Sequence, residues 1–261
     1  MSAVLSPVDF SLDGQVAIVT GAAPGGIGET YARTLAAHGA AVVCADIRAG
    51  GAEAVAKQIE ADGGRALGVA VDITDLASVD TMTAAAVETY GGLDILVNNA
   101  ALMAQLDMGP MLEVDLDHWH TAFQVNLHGA YLCSRSAAPY LRARGGGRIV
   151  NQASGGAFPP FNLYGVTKIA LVGLTAALAK ELGPDNITVN AIAPGAVDSE
   201  AGLGLVPEDS PFRAMMNAVV AMKPFAPPSD LAGPLLLLTS PAGSWITGQV
   251  LHVDGGWVIR P

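Results

Sequence analysis

Gln15-Val-Ala-Ile-Val-Thr-Gly-Ala-Ala-Pro-Gly-Gly-Ile-Gly28 is the stretch that decides the fold of this chain. Gln15 to Thr20 is a short, apolar, β-branched run, as expected of a strand buried on both faces of a parallel sheet. Four glycines follow, at 21, 25, 26 and 28, and a helical pattern then continues through Ala37. Strand, glycine loop and helix in this order make a phosphate-binding turn. Glycines let the backbone approach a pyrophosphate, and the helix N-terminus presents free N–H groups and the positive end of its dipole. A second apolar run, Ala41 to Ala45, ends in Asp46, eighteen residues beyond Gly28. That is close to the spacing expected of a carboxylate that accepts the ribose hydroxyls of a dinucleotide, about 20 residues on. Such a carboxylate repels a 2′-phosphate, which favours NAD over NADP. Arg48 pulls the other way, since a guanidinium there would suit a 2′-phosphate.

Further strand-like runs recur between helical patterns: Ala66–Asp72, Ile95–Asn98, Arg148–Ala153, Thr188–Ala193 and Gln249–Val253. Alternating β and α elements predict an α/β fold: a single-domain, Rossmann-type, doubly wound parallel sheet of about seven strands, with helices on both faces. Ligands of such sheets bind beyond the carboxyl ends of the strands. Gly21, Asp46, Asp72, Asn99, Ser154 and Pro194 all follow a predicted strand. Residues 1–13 are expected to form an arm outside the core. Residues 14–261 are expected to form one NAD-binding catalytic domain, with a substrate lid at 199–228.

Tyr164 and Lys168 stand four residues apart in a segment of helical period, Leu163 to Leu178. The i and i+4 positions share a helix face, so a phenol lies beside an ammonium. A free phenol has a pKa near ~10, and a neighbouring cation favours its ionised form. The pair is equipped to exchange a proton with an alcohol or carbonyl oxygen.

Together the glycine loop and the Tyr–Lys pair resemble the classical short-chain dehydrogenase/reductase family. The similarity runs from about Gly14 to Gly256 and extends to other motifs in the family's order: Asp72-Ile73, Asn98-Asn99-Ala100-Ala101, Asn126, Ser154, Pro194-Gly195 and Val253 to Gly256. It implies a catalytic set of Asn126, Ser154, Tyr164 and Lys168. Tyr164 is the implied general acid or base, Lys168 lowers its pKa and holds the nicotinamide ribose, and Ser154 orients the substrate oxygen. Asn126 is implied to hold a water that links Lys168 to solvent. It also implies a cofactor site made of Gly21, Gly26, Ile27, Gly28, Asp46, Asp72, Ile73, Asn99, Tyr164, Lys168, Pro194, Gly195, Val197 and Ser199, with Asn99 tying neighbouring strands as well. Four departures stand out. The loop holds one extra residue before Gly26 and includes Pro24, which has no N–H to offer a phosphate. Ala101 replaces a glycine, Ser199 stands where threonine is usual, and the interval from Ser154 to Tyr164 is short. On family position alone, Met103, Phe158, Phe161, Leu203 and Phe212 are candidates to line an apolar pocket.

The 261 residues are 51% hydrophobic and 14% charged, which excludes a disordered chain. The formal charge of −11, without a basic run, argues against nucleic acid as a partner. Cys44 and Cys133 fall in a predicted strand and a predicted helix and read as small core residues, in keeping with a reducing cytoplasm. No apolar run reaches the length of a membrane span, and the first ten residues lack a signal-peptide pattern. His118 and His120, at i and i+2, do not share a helix face, so no metal site is expected. The overall expectation is an NAD-dependent oxidoreductase acting on a secondary alcohol or ketone, assembled as a cytoplasmic homotetramer. A 3-oxoacyl thioester reductase and a cyclic dihydrodiol dehydrogenase are the alternatives within that class. A protein that senses NAD without turnover is the alternative outside it.

Overall fold

Val16 to Thr20 form strand β1 and are buried throughout, as are Ala41–Asp46 of β2. Both strands are covered on two sides, and their alternate residues serve different layers. Ala17, Val19, Val42 and Cys44 join one core, while Val16, Ile18, Val43 and Ala45 join the other. The computed structural model describes residues 8–103, 106, 109–199, 207–222 and 225–259.

The chain runs β1 (Val16–Thr20), α1 (Ile27–Ala37), β2 (Ala41–Asp46), α2 (Ala49–Ala61), β3 (Arg65–Ala70), α3 (Leu76–Tyr90) and β4 (Ile95–Asn98). It continues with α4 (Leu116–Phe123), a π-helical turn at Gln124–Gly129, α5 (Ala130–Ala143), β5 (Gly147–Gln152), α6 (Leu163–Leu182) and β6 (Ile187–Pro194). The last elements are β7 (Ala196–Val197), α7 (Pro211–Val219), β8 (Phe225–Ala226), α8 (Ala232–Thr239) and β9 (Val250–Val253). Seven strands form one parallel sheet in the order β3-β2-β1-β4-β5-β6-β9, and β7 pairs with β8 apart from it. Tyr31 and Leu35 of α1, Val55 and Ile59 of α2 and Leu235 of α8 fill the first core. Val79 and Met82 of α3, Leu132 and Leu141 of α5 and Leu178 and Leu182 of α6 fill the second. The single-domain doubly wound sheet expected from the sequence is the fold observed.

The strand order reverses between β1 and β4, which opens a crevice at their carboxyl ends, the place where such sheets bind ligands. Three local readings differ from expectation. Leu12, assigned to an arm outside the core, is fully buried, and its N–H donates to the His38 carbonyl at 2.8 Å. The third strand stops at Ala70, two residues early, where its partner β2 ends at Asp46. The segment Trp119–Leu141, whose apolar pattern predicts one helix, is divided among the end of α4, the π turn Gln124–Gly129 and α5. By length and hydropathy alone α6 also resembles a membrane span, yet Leu171, Leu178 and Leu182 bury it in the core. Both cysteines are buried and unpaired.

Candidate active site

The glycine loop begins where Thr20 leaves the sheet. Gly21 has φ +67°, and a Cβ there would lie 2.8 Å from Ala100 Cα, so only glycine fits between the ends of β1 and β4. The two ends are laced together. Thr20 Oγ1 accepts the N–H groups of Asn99 and Ala100, each at 3.1 Å. Asn99 Nδ2 donates to the Thr20 carbonyl at 2.9 Å and the Gly21 carbonyl at 3.1 Å, which is the strand-tying expected of it. The extra residue is taken up in an outward turn at Pro24-Gly25, with Pro24 exposed and Gly25 at φ +81°. The start of α1 is therefore preserved. Gly26 is its N-cap and no side chain caps it, while the Gly25 N–H donates to Glu29 Oε2 at 2.9 Å. A Cβ on Gly28 would collide with the Gly21 carbonyl, so the first turn of α1 sits directly on the loop. Gly21, Gly26, Ile27, Gly28 and Asn99 thus lie together at the N-terminus of α1, the end of a helix that favours anions.

Asp46, at the end of β2, is 7% exposed. Its Oδ2 accepts the Ala23 N–H at 3.2 Å, and its Oδ1 accepts the Arg48 N–H at 2.9 Å. The Arg48 side chain, 71% exposed, leans back to within 3.4 Å of Oδ1. The carboxylate and the guanidinium therefore occupy one corner, as the opposed sequence readings anticipate. Asp72 is exposed, and its Oδ1 accepts the Thr74 N–H at 2.9 Å and the Thr74 hydroxyl at 2.7 Å. Ile73 is buried against Gly129, where a Cβ would lie 2.6 Å from Ile73 Cδ1.

Ser154, Tyr164 and Lys168 meet beyond β5. Asn162 caps α6 by accepting the Gly165 N–H at 2.9 Å, which starts the helix just before Tyr164. A Cβ on Gly165 would lie 2.5 Å from the Gly156 carbonyl, so glycine lets the Ser154 loop rest against α6. The Tyr164 phenol is hydrogen-bonded to the Ser154 hydroxyl, and Ser154 Oγ accepts the Gly156 N–H at 3.1 Å. Lys168 is 1% exposed, and its Nζ donates to the Gln152 carbonyl at 2.7 Å and lies 5.5 Å from the centre of the Tyr164 ring. Burial pushes the Lys168 amine down to about 7. Burial pushes the Tyr164 phenol up to about 12, with the Ser154 hydrogen bond opposing it. The phenol is raised rather than lowered: desolvation is the largest influence and Ser154, not Lys168, the opposing one, while the amine is held by a carbonyl and itself drawn toward neutrality.

Asn126 lies in the π turn and is buried. Its amide accepts the Leu102 N–H at 2.7 Å and donates to the Leu102 carbonyl at 2.9 Å and to Thr167 Oγ1 at 3.1 Å. Thr167 Oγ1 donates in turn to the Tyr164 carbonyl at 2.8 Å. This side chain joins the loop after β4 to the helix that carries Tyr164. Pro194 borders the same space, since its carbonyl accepts the Gly155 N–H at 2.7 Å. Gly195 sits against Asp254, where a Cβ would meet Asp254 Cα at 2.8 Å. Val197 is buried, and the Ser199 N–H donates to its carbonyl at 3.0 Å. Of the expected lid, α7 is described, whereas 200–206, Leu203 among them, and 223–224 lie outside the described residues. Among the described residues, no group of three His, Cys, Asp or Glu is placed to hold a metal.

Several residues around the site carry no motif. The buried Tyr31 hydroxyl of α1 donates to Gln152 Oε1 at 2.8 Å. Asn98 Nδ2 donates to Asn151 Oδ1 at 2.9 Å and to Ser134 Oγ at 3.0 Å, and Asn151 Nδ2 reaches Thr175 Oγ1 at 2.9 Å. Trp257 lies on Gly155. A polar residue inside a strand otherwise buried on both faces was the available signal for Gln152 and Asn151, because such groups need partners.

Residues 21–258 match the family model described as Enoyl-(Acyl carrier protein) reductase. An uncharacterized oxidoreductase of Mycobacterium tuberculosis (strain ATCC 25618 / H37Rv) is 47% identical over 95% of this chain and 99% of its own. D-threitol dehydrogenase of Mycolicibacterium smegmatis is 36% identical over 97% of this chain and 96% of its own. A 7α-hydroxysteroid dehydrogenase, solved in complex with NADH and 7-oxo glycochenodeoxycholic acid, superposes with a TM-score of 0.88. It is 34% identical, over 97% of this chain and 98% of its own. The glycine cradle at the β1/β4 crevice and the Tyr–Lys helix beside Ser154 agree with that kinship, and the chain belongs to the classical short-chain dehydrogenase/reductase family, as an oxidoreductase acting on alcohols.

Proposed function

We propose that this protein is an NAD-dependent dehydrogenase or ketoreductase that interconverts a secondary alcohol and a ketone. The observation that carries the reading is the Tyr164 phenol, hydrogen-bonded to the Ser154 hydroxyl one helical turn from the buried Lys168. A bound nicotinamide supplies the hydride acceptor or donor. With its pKa near 12, Tyr164 keeps its proton at neutral pH and is ready to give it to a ketone oxygen. In oxidation the phenol first passes its proton toward the neutral Lys168 amine, and the phenolate oxygen then takes the proton of the alcohol. Lys168, with a pKa near 7, is close to its midpoint and is suited to return that proton or carry it away. Ser154 Oγ accepts one hydrogen bond and donates another, which suits it to orient the substrate oxygen. Asn126 holds the helix register through Thr167.

Gly21, Gly26, Ile27, Gly28 and Asn99 would hold the pyrophosphate side of the cofactor, Asp46 the adenosine ribose, and Asp72 with Ile73 the adenine. Tyr164, Lys168, Pro194, Gly195, Val197 and Ser199 would hold the nicotinamide side. The preference for NAD rests on Asp46, with Arg48 opposing it. The segment 199–228 would act as the substrate lid. A cytoplasmic homotetramer is the proposed state of assembly, with a second copy covering the groove lined by Phe123, Leu127, Tyr131, Ala170 and Leu174.

The family model's description favours a second reading, a reductase of acyl thioesters. The net charge of −11 opposes it, because an acidic surface repels an acidic carrier protein. Purified protein given secondary alcohols with NAD, ketones with NADH, and an acetoacetyl thioester with NADH separates the readings by the change in nicotinamide absorbance. Turnover of the thioester alone would replace the first reading with the second.

A further inference from the structure

Gly156 marks a point where three groups converge. A Cβ built on it would lie 3.5 Å from Ser154 Oγ, 3.9 Å from Phe161 Cε1 and 4.0 Å from Trp257 Cη2. The edges of two aromatic rings and the Ser154 hydroxyl, the partner of Tyr164, therefore all border the space over Gly156.

The Trp257 ring is held there by a built turn. Asp254 Oδ1 accepts the Gly256 N–H at 3.0 Å, and Oδ2 accepts the Val258 N–H at 2.9 Å. The Trp257 N–H donates to the Asp254 carbonyl at 3.2 Å. Gly255 and Gly256 take φ +64° and +82°, which the turn requires. The ring then seats on Gly155, where a Cβ would lie 2.7 Å from its Cε3. The Gly255 carbonyl also accepts the Met222 N–H at 2.9 Å, which ties this turn to the segment following α7. Phe161 is 58% exposed, an unusual outlay of aromatic surface beside a polar catalytic group. None of Ser154, Gly155, Gly156, Phe161 and Trp257 carries a charge at neutral pH, so this wall holds no cation to pair with a carboxylate or a phosphate.

We infer that Phe161 and Trp257 form an aromatic wall, with Gly156 as the gap between them and Ser154, that selects neutral cyclic secondary alcohols and their ketones over acyclic alcohols and polyols. The inference rests on the dehydrogenase reading and names its substrate class. A flat aromatic face gains most from a ring laid against it, whereas a polyol would bury hydroxyls there without partners. Gly156 leaves space next to the reacting oxygen for the ring's own carbon atoms.

The test compares kcat/KM for cyclohexanol, 2-butanol and xylitol in the full-length protein, with NAD and with NADP. The wild type should favour cyclohexanol by about tenfold or more, the scale a shaped apolar pocket supplies. Phe161→Leu removes a surface ring without touching the core, and Trp257→Leu removes the seated one. Each should lower the cyclohexanol to 2-butanol ratio by about tenfold, acting mainly through KM. Gly156→Ala, whose Cβ meets only ordinary contacts, should lower the same ratio by filling the gap. A wild type that prefers 2-butanol or xylitol, or variants that leave the ratio unchanged, would overturn the inference while leaving the dehydrogenase reading standing. Binding of cyclohexanone is read separately, from quenching of tryptophan fluorescence that Trp257→Leu should abolish. Quenching without turnover of any alcohol or ketone would keep the ring site and overturn the dehydrogenase reading. Neither quenching nor turnover would overturn both.

Discussion

Tyr31 and Gln152 are joined by a buried hydrogen bond of 2.8 Å between the helix that opens the nucleotide cradle and the strand that leads to Ser154. The main-chain carbonyl of the same Gln152 accepts Lys168 Nζ at 2.7 Å. One residue thus receives the phenol of α1 on its side chain and the ammonium of α6 on its backbone. Tyr31→Phe removes the donor and leaves Gln152 Oε1 buried without it. The expected cost is about 1–3 kcal/mol of stability, read from the denaturant midpoint at unchanged m-value. A midpoint equal to wild type would mean that Gln152 finds another donor.

Tyr164→Phe keeps the ring and removes the proton that the mechanism needs. Turnover should fall by roughly 10²–10⁴-fold, the usual share of general acid–base catalysis. Binding of NAD, followed by titration calorimetry, should change little. Substantial activity in this variant would take Tyr164 out of the proton-transfer role.

Asp46 and Arg48 make opposing demands on the adenosine ribose. The wild type should use NAD in preference to NADP, because a 2′-phosphate would approach a carboxylate that is 7% exposed. Asp46→Ala should narrow the gap, and Arg48→Ala should widen it by removing the cation now 3.4 Å from Asp46 Oδ1. The ratio of kcat/KM for the two cofactors on one substrate decides this. Equal or better use of NADP by the wild type would give control of the pocket to Arg48.

Lys168 predicts a pH dependence of stability. Its amine is pushed down from 10.5 to about 7 by burial, so the folded state resists the proton that the unfolded chain accepts. Below about 7 both states are protonated and the penalty is fully present. Between about 7 and 10.5 the unfolded chain binds more protons, so stability rises with pH. Lys168→Met lacks this dependence. The wild type should therefore gain stability relative to Lys168→Met as pH rises from about 6 to about 9, measured by chemical denaturation of both proteins. The buried thiols of Cys44 and Cys133 are common to the two proteins and cancel in the difference. A flat difference would mean that Lys168 keeps its charge in the folded state.

Tyr131 is 40% exposed on α5, beside the groove that α4 and α6 share with it. A groove whose apolar side chains are interleaved with His120, Gln124 and His128 suits a two-fold contact with a second copy. Multi-angle light scattering at micromolar concentration should report a tetramer, and Tyr131→Glu should shift it toward smaller species. A monomeric wild type would contradict the proposed assembly.

The doubly wound sheet, and the meeting of the Tyr164–Lys168 helix with Ser154, were legible in the sequence. Both follow from local signals: β-branched runs of strand length, glycines at a strand-to-helix turn, and a Tyr–Lys pair at helical spacing. Each works through contacts within a few residues, so it is legible without the partners. Tertiary structure alone decided what depends on distant neighbours. The residue before the Pro24-Gly25 turn is anchored from another strand, since Asp46 accepts the Ala23 N–H. Leu12 belongs to the core because α1 and its following turn cover it, although its local sequence reads as an arm. The pKa values of Tyr164 and Lys168 depend on distant neighbours in the same way. Spacing along a helix gives their proximity, but the desolvation that drives their pKa values in opposite directions comes from the strands and loops packed around them. Trp257 carries no motif, and it stands beside Ser154 only because the Asp254 turn, at the end of the last strand, folds back across the carboxyl edge of the sheet.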